Sequence, residues 1–510
     1  MAMTRTPLAS ALSSIVGDVA QEEGPLPRIT RRGFLVGAAA TAVAVAMDPL
    51  PARAAAPRIV VVGAGLAGLA CAHRLVSSGV EVVVHEAGTR VGGRCWTRRG
   101  DFASGQIAEH GGELIDQSHT AIRQLAQSLG LDLDNLLAAE ANGTEQFNWF
   151  GGRPYTYEEA TIDMKQIWQQ LHRDVSAASY PTLFDSSTPR GRELDRMSIV
   201  DWIERYVPGG RQSRLGSLLE VAYTIEYGGE ASEQSSLNML YLLAYIGQGQ
   251  MRILGPSNEK YHVRGGNDQI TDRLAAALGN RVRLGSRLES IERESDGTWT
   301  LGFVQGTRRV RVPADRVVMT IPFSVLRTLD YSKAGFSARK VQAIRELGSG
   351  TNSKFHLQFT DRIWVAQGKN GETFSDRGYQ NTWEVTRGQP GREGILVDYT
   401  GGRYGDTFQK GSAADHAALF FEQINPVIPG LGAAWNGRAT IDHWPSQPLA
   451  RGSYSFWKVR QYTSFAGIEG RPEGSCHFAG EHTSIDFQGY LNGAVETGQR
   501  AAAEVLDAVA

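Results

Sequence analysis

Cysteine is scarce: the 510 residues hold three, Cys71, Cys95 and Cys476. They lie far apart, with no C-x-x-C or metal-ligand spacing, which excludes a zinc module and a disulfide scaffold and leaves no metal site to expect. One disulfide with a thiol left over is the most the count allows, and Cys71 falls in an apolar helical pattern that reads as core. Neither sign of charge is in excess, since 52 Lys and Arg against 54 Asp and Glu give a formal net charge of -2. The chain therefore lacks the basic footprint of a nucleic-acid binder and any polybasic membrane patch. No repeat of roughly 20–50 residues recurs, which disfavours solenoids and propellers. What remains, 41% apolar and 21% charged residues, is ordinary for a globular protein long enough to form two domains.

The one apolar run outside a globular pattern is short. Residues 34–47, mostly Ala and Val, fall below the roughly 20 residues a spanning helix needs. Arg31 and Arg32 precede the run, and Ala52-Arg53-Ala54 follows it as an A-x-A-like cleavage site. Residues 1–56 thus read as a signal peptide and leader. Together with Thr30, Phe34 and Leu35, the arginine pair resembles a twin-arginine export signal, whose machinery carries folded cargo. A general secretory signal that happens to carry two arginines is the alternative. On the first reading the passenger loads a cofactor inside the cell and works in the periplasm or outside.

The segment "RIVVVGAGLAGLACAHRLVSSGVEVVVHEA" opens on a continuous β-branched run at residues 59–62, as a strand buried on both faces does. Gly63-x-Gly65-x-x-Gly68 follows, then a helical pattern, a second strand expected over residues 80–84, and Glu86. In a dinucleotide site the first glycine permits the tight turn, the second lets backbone approach a pyrophosphate, and the third lets helix and strand pack closely. The helix N-terminus favours the phosphates, and a carboxylate at Glu86 suits a ribose. Just beyond, Gly92-Gly93-Arg94 resembles the second flavin-contacting stretch of the glutathione-reductase-like FAD proteins, in which the arginine nears the phosphates. At the other end of the chain Gly480-Glu481 follows a short strand, and Gly493 and Ala494 open a helix. Its N-terminus is placed to stabilise negative charge on a reduced flavin, and Glu481 suits a ribityl hydroxyl.

Four separated segments together resemble the flavin-containing amine oxidases, the group of monoamine, polyamine and L-amino-acid oxidases. They are the Gly63-to-Arg94 unit, "EHGGELID" at 109–116, "TNSKFHLQF" at 351–359, and "ARGSYSFW" with "FQGYLNGAVETGQRAA". The resemblance implies an α/β fold in which a glutathione-reductase-like, Rossmann FAD-binding domain carries an α+β substrate domain. The FAD domain is expected at 57–115, 252–335 and 441–510, and the substrate domain at 116–251 and 336–440, the first piece helix-rich. Val282 falls where the family's backbone meets adenine. Tyr454 and Tyr490 match the family's aromatic cage, and Lys354 matches the lysine that holds a water against flavin N5. Ser453 stands where monoamine oxidases attach flavin through cysteine, so FAD is expected to be noncovalent.

The implied reaction is oxidative deamination of an amine, with O2 as acceptor, H2O2 formed, and the imine hydrolysed to aldehyde or ketone. Glu113, in the segment where L-amino-acid oxidases commonly place a carboxylate clamp, repels a carboxylate and would draw a second ammonium, which favours an amine substrate. An L-amino-acid oxidase, clamped through Arg252 or Arg451, is the alternative. A C–C desaturase and a non-catalytic flavin-binding module are the remaining readings. The partners expected are a small amine or amino acid, O2 and the export machinery, without nucleic acid; a homodimer is the oligomer considered.

Overall fold

The computed structural model describes residues 56–243 and 258–509. The export signal and Arg252 therefore lie outside the described residues. A five-stranded parallel sheet runs in the order Cys476–Phe478, Arg316–Met319, Ile59–Val62, Val82–His85, Val282–Arg283. Its strands come from three widely separated stretches of the chain. Val61 and Val84 pack on one side with Leu66, Leu69 and Val495, while Val60, Val62, Val317 and Met319 pack on the other with Leu288 and Trp299. Burial of both faces explains why these strands read as unbroken apolar runs.

The second strand begins at Val82, two residues later than expected. Gly79 and Val80 donate their N–H groups to the carbonyls of Val76 and Leu75 at 2.9 and 3.0 Å, closing the end of helix Leu66–Ser77 and delaying the strand. That helix packs on the C-terminal helix Leu491–Val509. The approach is close enough that a Cβ at Gly498 would lie 2.3 Å from the Ala67 carbonyl oxygen. A three-stranded antiparallel sheet, Ser286–Arg293, Trp299–Gln305 and Arg308–Ala314, covers the other face.

A seven-stranded sheet forms the second layer, in the order Trp435–His443, Ser353–Phe359, Gly394–Thr400, Asn381–Glu384, Lys369–Ser375, Glu145–Phe150, Arg153–Pro154. Strand Trp435–His443 belongs wholly to this sheet, although a domain boundary was expected at 441. Helices Tyr157–Ala178, Ile199–Tyr206, Arg214–Tyr227 and Ser236–Leu243 enclose a core around Trp168, Trp202 and Tyr223. All three cysteines are free and buried. Among the described residues no helix is long and apolar enough to cross a membrane, and no group of three or more His, Cys, Asp or Glu could hold a metal.

Candidate active site

Helix Leu66–Ser77 starts at an end without a side-chain cap: Gly65 is its N-cap, and its first turn has no acidic residue. Its free N–H groups and positive end are left for an external acceptor. A Cβ on Gly65 would meet nothing within 4 Å, whereas one on Gly68 would lie 2.0 Å from the Gly63 carbonyl oxygen. The loop thus leaves room above the helix end and none behind it, the shape a pyrophosphate requires. Gly63, at φ +106°, donates to the His85 carbonyl at 2.8 Å and ties the turn to the second strand. Glu86 accepts the N–H groups of Ala64 and Gly88, both at 2.7 Å. That uses two of the roughly four lone pairs a carboxylate offers. The Arg283 carbonyl accepts from the Glu86 N–H at 2.9 Å, and Val282 pairs with Val84, so the adenosine end is framed by these strand termini.

A bridge between Gly65 and Gly92, with the Gly92 N–H on the Ala64 carbonyl at 2.8 Å, brings Gly92, Gly93 and Arg94 against the glycine loop. Arg94 Nη1 donates to the Ser453 carbonyl and to Glu481 Oε1, both at 2.8 Å. Glu481 also accepts from the Ser455 hydroxyl at 2.8 Å and the Gly489 N–H at 2.9 Å. Burial opposes its ionisation, but the Arg94 charge and the bonds from Arg94 and Ser455 outweigh it and hold the carboxyl below its ordinary range. The Gly480 N–H donates to Thr497 at 3.0 Å, fixing this turn to the C-terminal helix. At that helix's start, the Ala494 N–H reaches the Tyr490 carbonyl at 3.3 Å, and a Cβ at Gly493 would lie 2.1 Å from the Phe487 carbonyl oxygen. These contacts join the two ends of the chain in one cradle, which fits a dinucleotide carrying a flavin.

Lys354 and Tyr454 gather at the sheet side of this cradle. Lys354 Nζ forms an ion pair with Glu113 Oε2 at 2.6 Å and donates to the Glu109 carbonyl at 3.3 Å. Glu113 Oε1 accepts from Trp383 Nε1 at 3.0 Å. Glu113 is therefore committed to Lys354 and Trp383, which replaces its expected service to a substrate ammonium. Two charges so deeply buried are held because each answers the other. The Tyr454 hydroxyl meets the Tyr399 hydroxyl at 2.7 Å and the Glu226 carbonyl at 2.9 Å. The Tyr490 hydroxyl lies 3.5 Å from Glu226 Oε1, so one expected cage tyrosine meets the main chain of Glu226 and the other its carboxyl. Ser453 is buried, its hydroxyl donating to Asn352 Oδ1 at 2.6 Å.

Trp383, Tyr399 and Glu226 were not singled out from sequence. Glu226 left a signal, a lone acid within the apolar end of helix Arg214–Tyr227, where it is 0% exposed. Trp383 and Tyr399 carried none, because sheet register alone places them: Tyr399 pairs with Lys354 and packs its ring 5.2 Å from that of Trp383. Arg451 is exposed, in left-handed backbone at φ +53°.

His119 packs 4.9 Å from the Tyr490 ring and accepts the Asp116 N–H at 3.0 Å. Burial, with the Arg123 charge, lowers its pKa to about 3. A base depressed in the folded state contributes stability that is present above its unfolded pKa and lost as pH falls toward its folded value. Between pH 7 and pH 5 this residue alone is expected to cost about 2 kcal/mol of stability. His119→Asn keeps an acceptor and should flatten that acid-side fall in denaturant titrations; equal slopes in the two proteins would contradict the assignment.

The family profile described as flavin containing amine oxidoreductase matches residues 66–506. AofH of Mycobacterium tuberculosis, whose given name is that of a flavin-containing monoamine oxidase, is 29% identical over 462 residues, covering 88% of this chain and 96% of its own. An L-amino-acid oxidase of Siganus canaliculatus is 25% identical, covering 90% and 87%. Among solved structures, putrescine oxidase bound to putrescine superposes with a TM-score of 0.75 at 23% identity, covering 88% of this chain and 99% of that one. Cyclohexylamine oxidase from Brevibacterium oxydans gives 0.75 at 21% identity, covering 89% and 99%. With a glycine loop and cradle shaped for FAD and a profile match over nearly all its described length, the chain belongs to the flavin-containing amine oxidoreductase family, as an oxidoreductase acting on amines.

Proposed function

We propose that this protein oxidises a primary or secondary amine with noncovalently held FAD, O2 as acceptor and H2O2 as product, the imine hydrolysing to an aldehyde or ketone. FAD, when bound, supplies the two-electron acceptor; the chain's own groups do the rest. Gly63, Gly65, Gly68 and the first helix hold its pyrophosphate, Glu86 and Val282 its adenosine, and Arg94, Glu481, Gly480, Gly92 and Gly93 its centre. Gly493 and Ala494, at the start of the C-terminal helix, would face the flavin ring and favour negative charge on it. Ser453, bonded to Asn352, cannot form the thioether that a cysteine would, which supports noncovalent binding. Lys354, fixed by Glu113, holds a water and manages protons near the ring. Tyr454 and Tyr490 align and desolvate the amine between their faces.

The observation that carries the amine reading is Glu226, a fully buried carboxyl whose Oε1 lies 3.5 Å from the Tyr490 hydroxyl, while its main-chain carbonyl accepts from Tyr454. A buried carboxyl beside Tyr490 can accept from an ammonium and disfavours a second carboxylate, while Arg451, one of the two clamps considered, is exposed. Putrescine in the structural neighbour is an amine of this class. The segments 57–115, 252–335 and 441–510 serve the cofactor, and 116–251 and 336–440 the substrate, apart from the strand that crosses residue 441. Export by the twin-arginine route would place the loaded enzyme in the periplasm or outside the cell. The test is a peroxide assay of purified holoenzyme against equal concentrations of alkylamines, arylalkylamines and L-amino acids. Peroxide from amines supports the reading, and peroxide from L-amino acids alone overturns it.

A further inference from the structure

The dipeptide Asn-Gly occurs four times, at residues 142–143, 370–371, 436–437 and 492–493. It is a reactive pair, because a glycine nitrogen, with no Cβ beside it, can approach the carbonyl carbon of the preceding asparagine side chain. The fold treats the four pairs differently.

Three of the carboxamides are held. Asn370 is 8% exposed, and its Oδ1 accepts the Glu372 N–H at 2.9 Å. Asn492, within helix Leu491–Val509, is 1% exposed, and its Oδ1 accepts the Ile122 N–H at 3.1 Å. Asn436 is tied at both ends: its Oδ1 accepts the Arg438 N–H at 3.0 Å, and its Nδ2 donates to Gln358 Oε1 at 2.9 Å. Turning any of these side chains toward its own backbone breaks a hydrogen bond, and for the two buried ones it also requires local opening of the structure.

Asn142 differs on each count. It is exposed, as is Gly143, in the turn that precedes strand Glu145–Phe150. Thr144 closes this turn, its N–H and its hydroxyl reaching the Ala141 carbonyl at 3.3 and 2.7 Å. Those bonds fix the flanks and leave the centre open: neither the Asn142 carboxamide nor the Gly143 N–H has a hydrogen-bond partner among the described residues. Gly143 stands at φ +77°, the glycine position of a type II turn, and a Cβ there would meet nothing within 4 Å.

We infer that Asn142 is a site of spontaneous deamidation in the folded protein. The Gly143 nitrogen loses its proton to solvent and bonds to Asn142 Cγ, and the carboxamide nitrogen takes a proton from water and leaves as ammonia. Water then opens the five-membered imide at either carbonyl, so that an aspartate or an isoaspartate stands at position 142. The chemistry needs only water and is independent of the amine-oxidation site. The product carries one more negative charge, two residues from Glu140, which pairs with Arg387 at 3.4 Å. An isoaspartate also lengthens the main chain by one methylene just ahead of the strand.

The folded full-length chain is kept at neutral pH, digested, and its four Asn-Gly peptides followed by mass spectrometry for the gain of one mass unit, beside a sample unfolded in guanidinium chloride. In the folded protein the peptide holding Asn142 should gain about tenfold faster than the other three, equivalent to about 1.4 kcal/mol in the barrier, the order of one hydrogen bond that they must break. Unfolding should bring the other three up to it. Asn142→Gln, in which attack would have to close a six-membered ring, should lack both the mass gain and the more acidic form on ion exchange. No gain at Asn142, equal gain at all four in the folded protein, or a difference that persists on unfolding would each overturn the assignment.

Discussion

Arg94→Ala is expected to lower the unfolding free energy by about 3 kcal/mol and to yield protein that loses flavin on gel filtration. The substitution strands Glu481, whose side chain is 7% exposed and whose Oε1 faces Arg94 at 2.8 Å. The remaining donors, Ser455 and Gly489, satisfy its hydrogen bonds but supply no charge. The double variant Arg94→Ala/Glu481→Gln removes the stranded charge and should recover most of the melting temperature while still failing to retain flavin. Recovery of both would show that Arg94 serves the fold alone. Loss of neither in the single variant would remove it from the cradle.

Lys354→Met should act on two levels that can be separated. Structurally it leaves Glu113 with only Trp383 as donor and is expected to cost about 3 kcal/mol, as removing one member of a buried pair does. Functionally it removes the group assigned to proton handling beside the flavin, and turnover should fall by about tenfold or more, some 1.4 kcal/mol per decade in the barrier. Lys354→Met/Glu113→Gln is the control, since it takes away the unpaired carboxylate while leaving an acceptor for Trp383. The double variant should melt near the wild type, keep its flavin absorbance and remain slow. A double variant that turns over at the wild-type rate would assign Lys354 to stability only.

The cofactor half of the site was legible because it is local. A β-branched run, three glycines at fixed spacing and an acid at the end of the next strand are consecutive in the chain, and each performs one task in a turn the backbone dictates. The partners of Lys354, Tyr454 and Tyr490 were not, because they depend on register. Glu113 and Lys354 are 241 positions apart, and nothing in either segment shows that they meet. The segment "KFHLQF" alternates polar and apolar residues, yet every residue of Ser353–Phe359 is buried. Phe355, Leu357 and Phe359 pack on the core that includes Phe420 and Ile424. Its polar face, Lys354 and Gln358, is covered by the segment around residues 103–113 and held by Glu113 and Gln106. Polar residues at alternate positions thus mark a second protein layer here, where solvent would be the ordinary reading.

The pairing of Glu113 also moves the basis of substrate choice. The sequence argument for an amine rested on that carboxylate, and the structure commits it to Lys354 and Trp383. Glu226, from a helix that carried no motif, instead brings its carboxyl near Tyr490 and its main-chain carbonyl to Tyr454. On the proposed reading, the preference for a cation passes to a residue that only the folded arrangement identifies.

The most direct test is anaerobic mixing of the holoenzyme with amines and L-amino acids, following flavin absorbance, then admitting oxygen and assaying peroxide. Bleaching by amines, with absorbance and peroxide both appearing once oxygen enters, is the result expected. Bleaching by L-amino acids alone, or by no amine at any concentration, would contradict it.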